Sequence, residues 1–329
     1  MALDPSDYRQ LLGFLDTART AAILTHIHPD ADGVGSGLAL CRFLLDRGLD
    51  ARFIISHSLP SSLQFLAEET KAYPYTPDLS PYIQSSDLVF TVDNSSVSRL
   101  GPIEADVKSA RGRTICIDHH MVRNEFWDVN LIDEQACATG EMIHDLIKEL
   151  GGEIERATAQ ALYVAIWADT GGFRFPRTSG RIHRLVADLL DLGVEAHTVY
   201  SHLHEHHSVA SIRLLAESLL HVQYVAGGRL AWIKLPLPLL SRYGADGEDS
   251  NDILTHMLSI DGVEIALLFR ETDKGSTKVS LRSKPQHDIN ALARANGGGG
   301  HRNASGAVVD EPLDECSRRL VAAAKSILD

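Results

Sequence analysis

The 329-residue sequence predicts an α/β protein: an N-terminal domain built on a doubly wound parallel sheet, followed by a smaller mixed α/β domain. Three observations carry this. From residue 21 to about residue 150, short β-branched apolar runs alternate with stretches of helical period. Several of those runs end in His or Asp, at the strand edge where open α/β sheets place their ligands. Beyond residue 221 the pattern changes to strand pairs around Gly-containing turns.

The first strand is Ala21-Ala22-Ile23-Leu24-Thr25. Residues 33–47 then show helical period, with Val34, Leu38, Cys41 and Leu45 along one face, until Gly48 stops them. Strands return at Ala51-Arg52-Phe53-Ile54-Ile55, at Leu88-Val89-Phe90-Thr91-Val92 and at Thr114-Ile115-Cys116-Ile117. A helix over 139–150 is closed by Gly151-Gly152, and further helices cover 157–168, 181–192 and 208–220. Strands 221–225 and 229–234 flank Ala226-Gly227-Gly228, and strands 262–271 and 276–282 flank Thr272-Asp273-Lys274-Gly275. This gives a first domain over 1–196, a helical linker over 197–220 and a second domain over 221–329.

Apolar residues make up 44% and charged residues 23% of the chain, as in ordinary globular proteins. No apolar run approaches the ~20 residues that span a bilayer, so no membrane partner is expected. Met1-Ala2-Leu3-Asp4-Pro5 has neither the basic nor the apolar region of a signal peptide. Cys41, Cys116, Cys137 and Cys316 include no Cys-x-x-Cys pair, and Cys41 and Cys116 fall in apolar patterns as buried thiols. A cytoplasmic location follows. The net charge of −13 argues against long nucleic acid as a stable partner, because that role needs a basic face. It leaves room for short phosphorylated substrates, since divalent cations supply local positive charge.

Four apolar elements deliver His or Asp to their ends. After the first strand comes His26-Ile27-His28-Pro29-Asp30-Ala31-Asp32; after the third, Asp93-Asn94-Ser95; after the fourth, Asp118-His119-His120; and after helix 157–168, Asp169. Asp30 and Asp32 could each merely open a helix, but the set as a whole exceeds what capping explains. Imidazole nitrogen mixed with hard carboxylate oxygen suits Mn²⁺, with Mg²⁺ or Co²⁺ as substitutes, better than a thiolate-rich structural zinc site. Five or six such ligands suit two ions ~3.5–4 Å apart rather than one. Gly33-Val34-Gly35-Ser36-Gly37 is not a P-loop, since no Gly-Lys-Ser/Thr follows; nor is it a dinucleotide fingerprint, since Leu38 stands where Gly is needed. Its glycines are expected to let the helix start approach the ions closely.

In the second domain, Gly297-Gly298-Gly299-Gly300-His301-Arg302 reads as an anion-binding nest in which Gly299 and Gly300 offer amides and His301 and Arg302 add side-chain donors. Arg282, ending a strand, is a second phosphate clamp. His202, His204, His206 and His207 have no carboxylate partners at defined ends and read as a solvated helix face. Phe173 and Phe175 read as local packing rather than as a base platform.

Together these residues resemble the DHH phosphoesterase superfamily. The matching motifs are His26-x-x-Pro29-Asp30-x-Asp32-x-x-Gly35-Ser36, Val92-Asp93-Asn94-Ser95, Asp118-His119-His120 and Ala168-Asp169-Thr170-Gly171. The segment 297–306 resembles the glycine-rich signature of the DHH-associated C-terminal domain. With two compact domains and no added sensor, the chain is most similar to the NrnA-like group of nanoRNases and 3′-phosphoadenosine-5′-phosphate phosphatases. The resemblance implies one ion on His26, Asp30 and Asp93, and another on Asp32, Asp93, His119 and Asp169. It also implies that the first domain, 1–196, is catalytic and the second, 221–329, binds substrate. Asp118 is then implied to orient an imidazole, His120 to lie near the scissile phosphate, and the active site to occupy the interdomain cleft. The implied substrates are short oligoribonucleotides, linear dinucleotides such as pApA and pGpG, and 3′-phosphoadenosine-5′-phosphate. A pyrophosphate or polyphosphate hydrolase and a non-catalytic nucleotide-binding regulator are the alternatives. Exposed helices near the linker are compatible with a homodimer.

Overall fold

The computed structural model describes residues 5–120, 125–205, 207–244 and 251–328, with side chains described from residue 9 onward except those of Asn251 and His301. It divides into two units, residues 1–206 and 207–329.

The first unit holds six strands: β1 (Thr20–Leu24), β2 (Asp50–Ile55), β3 (Ala72–Pro74), β4 (Leu88–Val92), β5 (Arg113–Asp118) and β6 (Val129–Ile132). All their pairings are parallel, in the order β3-β2-β1-β4-β5-β6. The chain winds outward from β1 to β3 on one side and then from β4 to β6 on the other. This makes the β1/β4 boundary the topological switch point, the position where such sheets open a crevice at their carboxyl ends.

Both faces of the sheet are covered, which is why its strands read as continuous apolar runs. Ala21 and Ile23 pack into one layer with Val34, Leu38 and Leu162, while Ala22 and Leu24 pack into the other with Val89, Leu100 and Ile103. Helix Ala31–Asp46 buries Val34, Leu38, Cys41 and Leu44; Leu45, expected on that face, is 40% exposed instead. The helix lies against helix Arg156–Asp169 at Gly35, where a Cβ would run into the carbonyl of Ala161 and stand 3.0 Å from Ala165 Cβ.

Segment 197–220 is shared between the units instead of standing apart as a linker. Helix Ala196–His204 buries Val199 in the first core, and helix Val209–Leu220, capped by the Ser208 hydroxyl, buries Leu214 in the second. The second unit carries β7 (Gln223–Val225), β8 (Leu230–Leu235), β9 (Ile265–Glu271), β10 (Thr277–Ser283), β11 (Gly299–His301) and β12 (Ala304–Val309) in one mixed sheet. Its order is β11-β12-β10-β9-β8-β7, and β8–β9 is its parallel pair. All four cysteines are buried and free. Among the described residues, no helix is long and apolar enough to cross a membrane.

Gly35→Ala should overpack the helix pair and lower stability by about 1–3 kcal/mol. A thermal melt should read this as a drop of about 2–4 °C per kcal/mol; an unchanged melt would mean that the two helices can separate without loss.

Candidate metal centre

Each strand end at the switch point contributes a side chain whose orientation is fixed by a local bond. His26, just past β1 and 5% exposed, donates through Nδ1 to the Ile27 carbonyl at 2.9 Å. In the neutral ring this leaves Nε2 as the metal-binding nitrogen. Asp30 caps helix Ala31–Asp46, its Oδ1 accepting from Asp32 N and Gly33 N, both at 3.1 Å. The capping role and the ligand role therefore coexist, since Asp30 Oδ2 lies 3.7 Å from His26 Nε2.

Asp32 is fully buried. Its Oδ1 accepts from Ser36 Oγ and Gly140 N, each at 3.0 Å, and its Oδ2 accepts from Thr139 N at 2.7 Å. Gly33 allows this close approach, because a Cβ there would collide with Thr25 Oγ1 and stand 3.5 Å from Asp93 Oδ2.

Asp93 follows β4 with φ of +55°, a left-handed backbone that Asp tolerates better than most residues. Its two oxygens face different partners. Oδ2 lies 3.5 Å from His26 Nε2, whereas Oδ1 lies 3.6 Å from His119 Nε2 and 3.5 Å from His120 Nδ1. His119 donates through Nδ1 to the Ala136 carbonyl at 3.3 Å. Its Nε2 lies 3.6 Å from Asp32 Oδ2 and 3.1 Å from Asp169 Oδ2, the latter on the last residue of helix Arg156–Asp169. The donors thus gather as His26–Asp30–Asp93, Asp32–His119–Asp169 and Asp93–His119–His120, the ligand atoms of each group lying within 4.8 Å of one another. Asp118 Oδ1 takes His120 Nδ1 at 2.6 Å and His120 N at 3.1 Å. The imidazole it orients is therefore His120, and the Ala136 carbonyl performs that service for His119.

The electrostatics match this crowding. Burial pushes the Asp32 carboxyl well up, and Asp93 and Asp169 add repulsion. Asp93 is raised by burial and by Asp30. Burial disfavours the imidazolium of His26, but Asp30 and Asp93 outweigh it and lift its pKa to about 10; Asp169, Asp32 and Asp93 do the same for His119, also to about 10. Asp118, although buried, is held below the usual carboxylate range by His120. This donor set of imidazole Nε2 and convergent carboxylate oxygen fits divalent cations without demanding thiolate.

In the second unit, register places Arg282 opposite Ala304 and Ala304 opposite His301, so these positions form one row across β10, β12 and β11. The His301 side chain lies outside the described residues. Arg282 is half-buried, donates from Nη1 to the Leu281 carbonyl at 3.0 Å, and has its pKa lowered by burial. Gly299 and Gly300 belong to edge strand β11, so the expected open nest is a paired strand. Gly300 serves close packing, since a Cβ on it, at φ +132°, would stand 2.6 Å from Ala304 O and 2.8 Å from Ser305 Cα, whereas a Cβ on Gly299 would meet open space. Arg302 is exposed. Beside it, Asn303 Nδ2 lies within 2.9 Å of Ser283 Oγ and of the Lys284 and His287 carbonyls, tying the turn down.

Within the histidine cluster, His202 and His204 do not lie on a solvated face. His202 stacks on Phe65 at 4.2 Å and His204 packs against Trp167 at 4.8 Å. His207 Nδ1 lies 3.5 Å from Asp252, and His206 lies outside the described residues. Phe173 packs against Tyr163 and His183, while Phe175 is exposed. Sequence reading missed Ala136, Thr139 and Gly140, which act on the ligands largely through backbone groups that leave no side-chain signature.

Residues 20–166 match the DHH family, N-terminal domain, and residues 225–329 match the DHHA1 domain. The chain is 31% identical over 307 residues to the bifunctional oligoribonuclease and PAP phosphatase NrnA of Thermus thermophilus, covering 93% of this chain and 89% of that protein. It is 26% identical to the Bacillus subtilis protein of the same name, over 94% and 96%. Among solved structures, an exopolyphosphatase-related protein from Bacteroides fragilis shares the fold with TM-score 0.93 at 24% identity, over 99% of this chain and 98% of that one. RecJ from Thermus thermophilus with Mn²⁺ shares it with TM-score 0.56 at 18% identity, over 99% and 55%.

A metal-ligating imidazole must be unprotonated, whereas His26 and His119 hold protons up to about pH 10 in the metal-free protein. Mn²⁺ binding at neutral pH should therefore release protons, and affinity should rise with pH across the neutral range. Calorimetric titration in two buffers of different ionisation heat measures the release; identical heats would refute the protonation scheme.

Proposed function

The chain belongs to the DHH family and is a metal-dependent phosphoester hydrolase, and from that premise we propose that it cleaves short oligoribonucleotides and linear dinucleotides such as pApA and pGpG, and removes the 3′-phosphate of 3′-phosphoadenosine-5′-phosphate. The observation that carries this reading is Asp93, whose two oxygens face two separate donor groups from one buried position. We assign His26, Asp30 and Asp93 to one divalent ion and Asp32, Asp93, His119 and Asp169 to a second, with Mn²⁺ as the expected metal. Bound there, two such ions would supply positive charge at phosphorus and a more acidic water for attack.

The chain's own residues provide the rest. Asp118 occupies His120 Nδ1, so Nε2 is the nitrogen that gives a proton to the leaving oxygen. Burial works against the imidazolium, but Asp118 and Asp93 raise the His120 pKa, which suits a general acid. Arg282, His301 and Arg302 take a phosphate of the substrate, on a strand pair held close by Gly300, with Gly299 beside it. Preference for short substrates is in keeping with a net charge of −13, which repels long polyanions. Names of the relatives at 31% and 26% identity support this substrate class, and four buried free thiols suit a reducing cytoplasm.

A panel of pApA, pGpG, three- to five-nucleotide RNA, 3′-phosphoadenosine-5′-phosphate, pyrophosphate and long RNA, each with Mn²⁺, tests the reading. The short nucleotides should react fastest; pyrophosphate or long RNA in first place would overturn it. Asp93→Asn keeps a residue that tolerates the left-handed backbone yet removes the shared charge. It should lose several kcal/mol of transition-state stabilisation, roughly 10³-fold in kcat, with the fold retained by circular dichroism. Arg282→Ala should raise KM chiefly for substrates with a terminal phosphate. An equal rise on an unphosphorylated ester would remove Arg282 from the clamp.

A further inference from the structure

Segment 136–140 carries no imidazole or carboxylate, yet it touches three of the six proposed ligands. The Ala136 carbonyl accepts from His119 Nδ1 at 3.3 Å. The amides of Thr139 and Gly140 hold the two oxygens of Asp32 at 2.7 and 3.0 Å. The Thr139 hydroxyl donates to Asp93 Oδ1 at 3.2 Å.

That last bond has a feature that ordinary helix chemistry does not explain. Helix Thr139–Glu149 has Ala138 at its N-cap, with no side-chain capping bond. A hydroxyl at the N-cap would accept from that helix's own amides; Thr139, one residue past the N-cap, makes no such bond and donates its proton to a carboxylate 46 positions away. Thr139 is fully buried, and its β-branched side chain has few rotamers. The backbone beneath it is locked as well, since a Cβ on Gly140 would stand 2.6 Å from Ala165 Cβ, on the helix that ends in Asp169.

We propose that Thr139 is a positioning residue for the binuclear centre. Its hydroxyl sets the rotation of the Asp93 carboxylate, turning Oδ1 toward the His119 group while Oδ2 stays with His26 and Asp30. This inference rests on the two-ion reading above. Without the hydroxyl, Asp93 loses the contact that divides its oxygens between two groups, and the ion on the Asp32–His119–Asp169 side is the one left short of a ligand. The amides on Asp32 belong to the backbone and survive substitution of the side chain.

The test is titration of chelator-stripped protein with Mn²⁺, following free aquo-Mn²⁺ by electron paramagnetic resonance. Wild type should take up two ions. Thr139→Val, close in shape but lacking the donor, should keep one ion and bind the other about 10- to 100-fold more weakly. Thr139→Ser should restore wild-type binding. Melting of the metal-free proteins separates lost affinity from lost fold, and if Thr139→Val proves unstable, Thr139→Ala is read in the same titration. Two ions bound at wild-type affinity without the hydroxyl would overturn the inference, as would a loss that Ser does not restore. Wild type binding a single ion would instead sink the two-ion reading, whatever the variants do.

Discussion

Asp32 and Asp93 are buried carboxylates that approach the same imidazole nitrogen, each 3.6 Å from His119 Nε2, and the rest of the centre answers to their mutual repulsion. Like charges crowded into one buried site repel, and desolvation adds to that; both push the Asp32 carboxyl up. Nothing apolar can offset such a term, so the surroundings must supply donors or cations. The protein supplies both kinds of answer. Amides and a serine hydroxyl hold Asp32, and His26 and His119 carry their protons far above neutrality in the metal-free state. Divalent cations can replace those protons with more charge in the same space.

The sheet makes that crowding possible without unfolding the crevice. At the switch point, β1 and β4 run parallel and adjacent, while the chains that leave them turn to opposite sides. His26, Asp30 and Asp32 arrive from one and Asp93 from the other, and β5 brings Asp118, His119 and His120 beside them. Glycine governs how near the helices come. Gly33 sits against Thr25 and Gly35 against the helix carrying Asp169. The glycine run is thus a packing device that fixes where ligands stand, in keeping with its failure to match either phosphate-loop pattern.

Much of this was legible in the sequence because central strands and ligand-bearing ends leave local signals. The runs at 21–25, 88–92 and 114–117 are β-branched or apolar throughout, and each is followed by His or Asp. Other features had no such signal. β3 is three residues long and ends in Pro74, and β11 is built from Gly299, Gly300 and His301, all poor strand formers. His202 and His204 look solvated from their neighbours in sequence, but Phe65 and Trp167, which cover them, come from distant elements.

The asymmetry of support around the ligands bears on how such a site can lose its ions without losing its fold. Asp32 would be the most damaging anion to strand, since it is wholly enclosed, yet it receives three hydrogen bonds that do not depend on metal. Asp30, whose side chain is 56% exposed, needs less, because water can solvate it and its capping bonds occupy one oxygen. Protein donors are therefore concentrated where water cannot substitute for the cation. A carboxylate held in this way stays oriented and hydrogen-bonded when the cation departs, even though burial and its neighbours raise its pKa. Cation binding then has little reorganisation to drive: it displaces protons from two imidazoles and meets oxygens already in place. Preorganisation of this kind is what a site needs if its ions are to exchange while the protein stays folded.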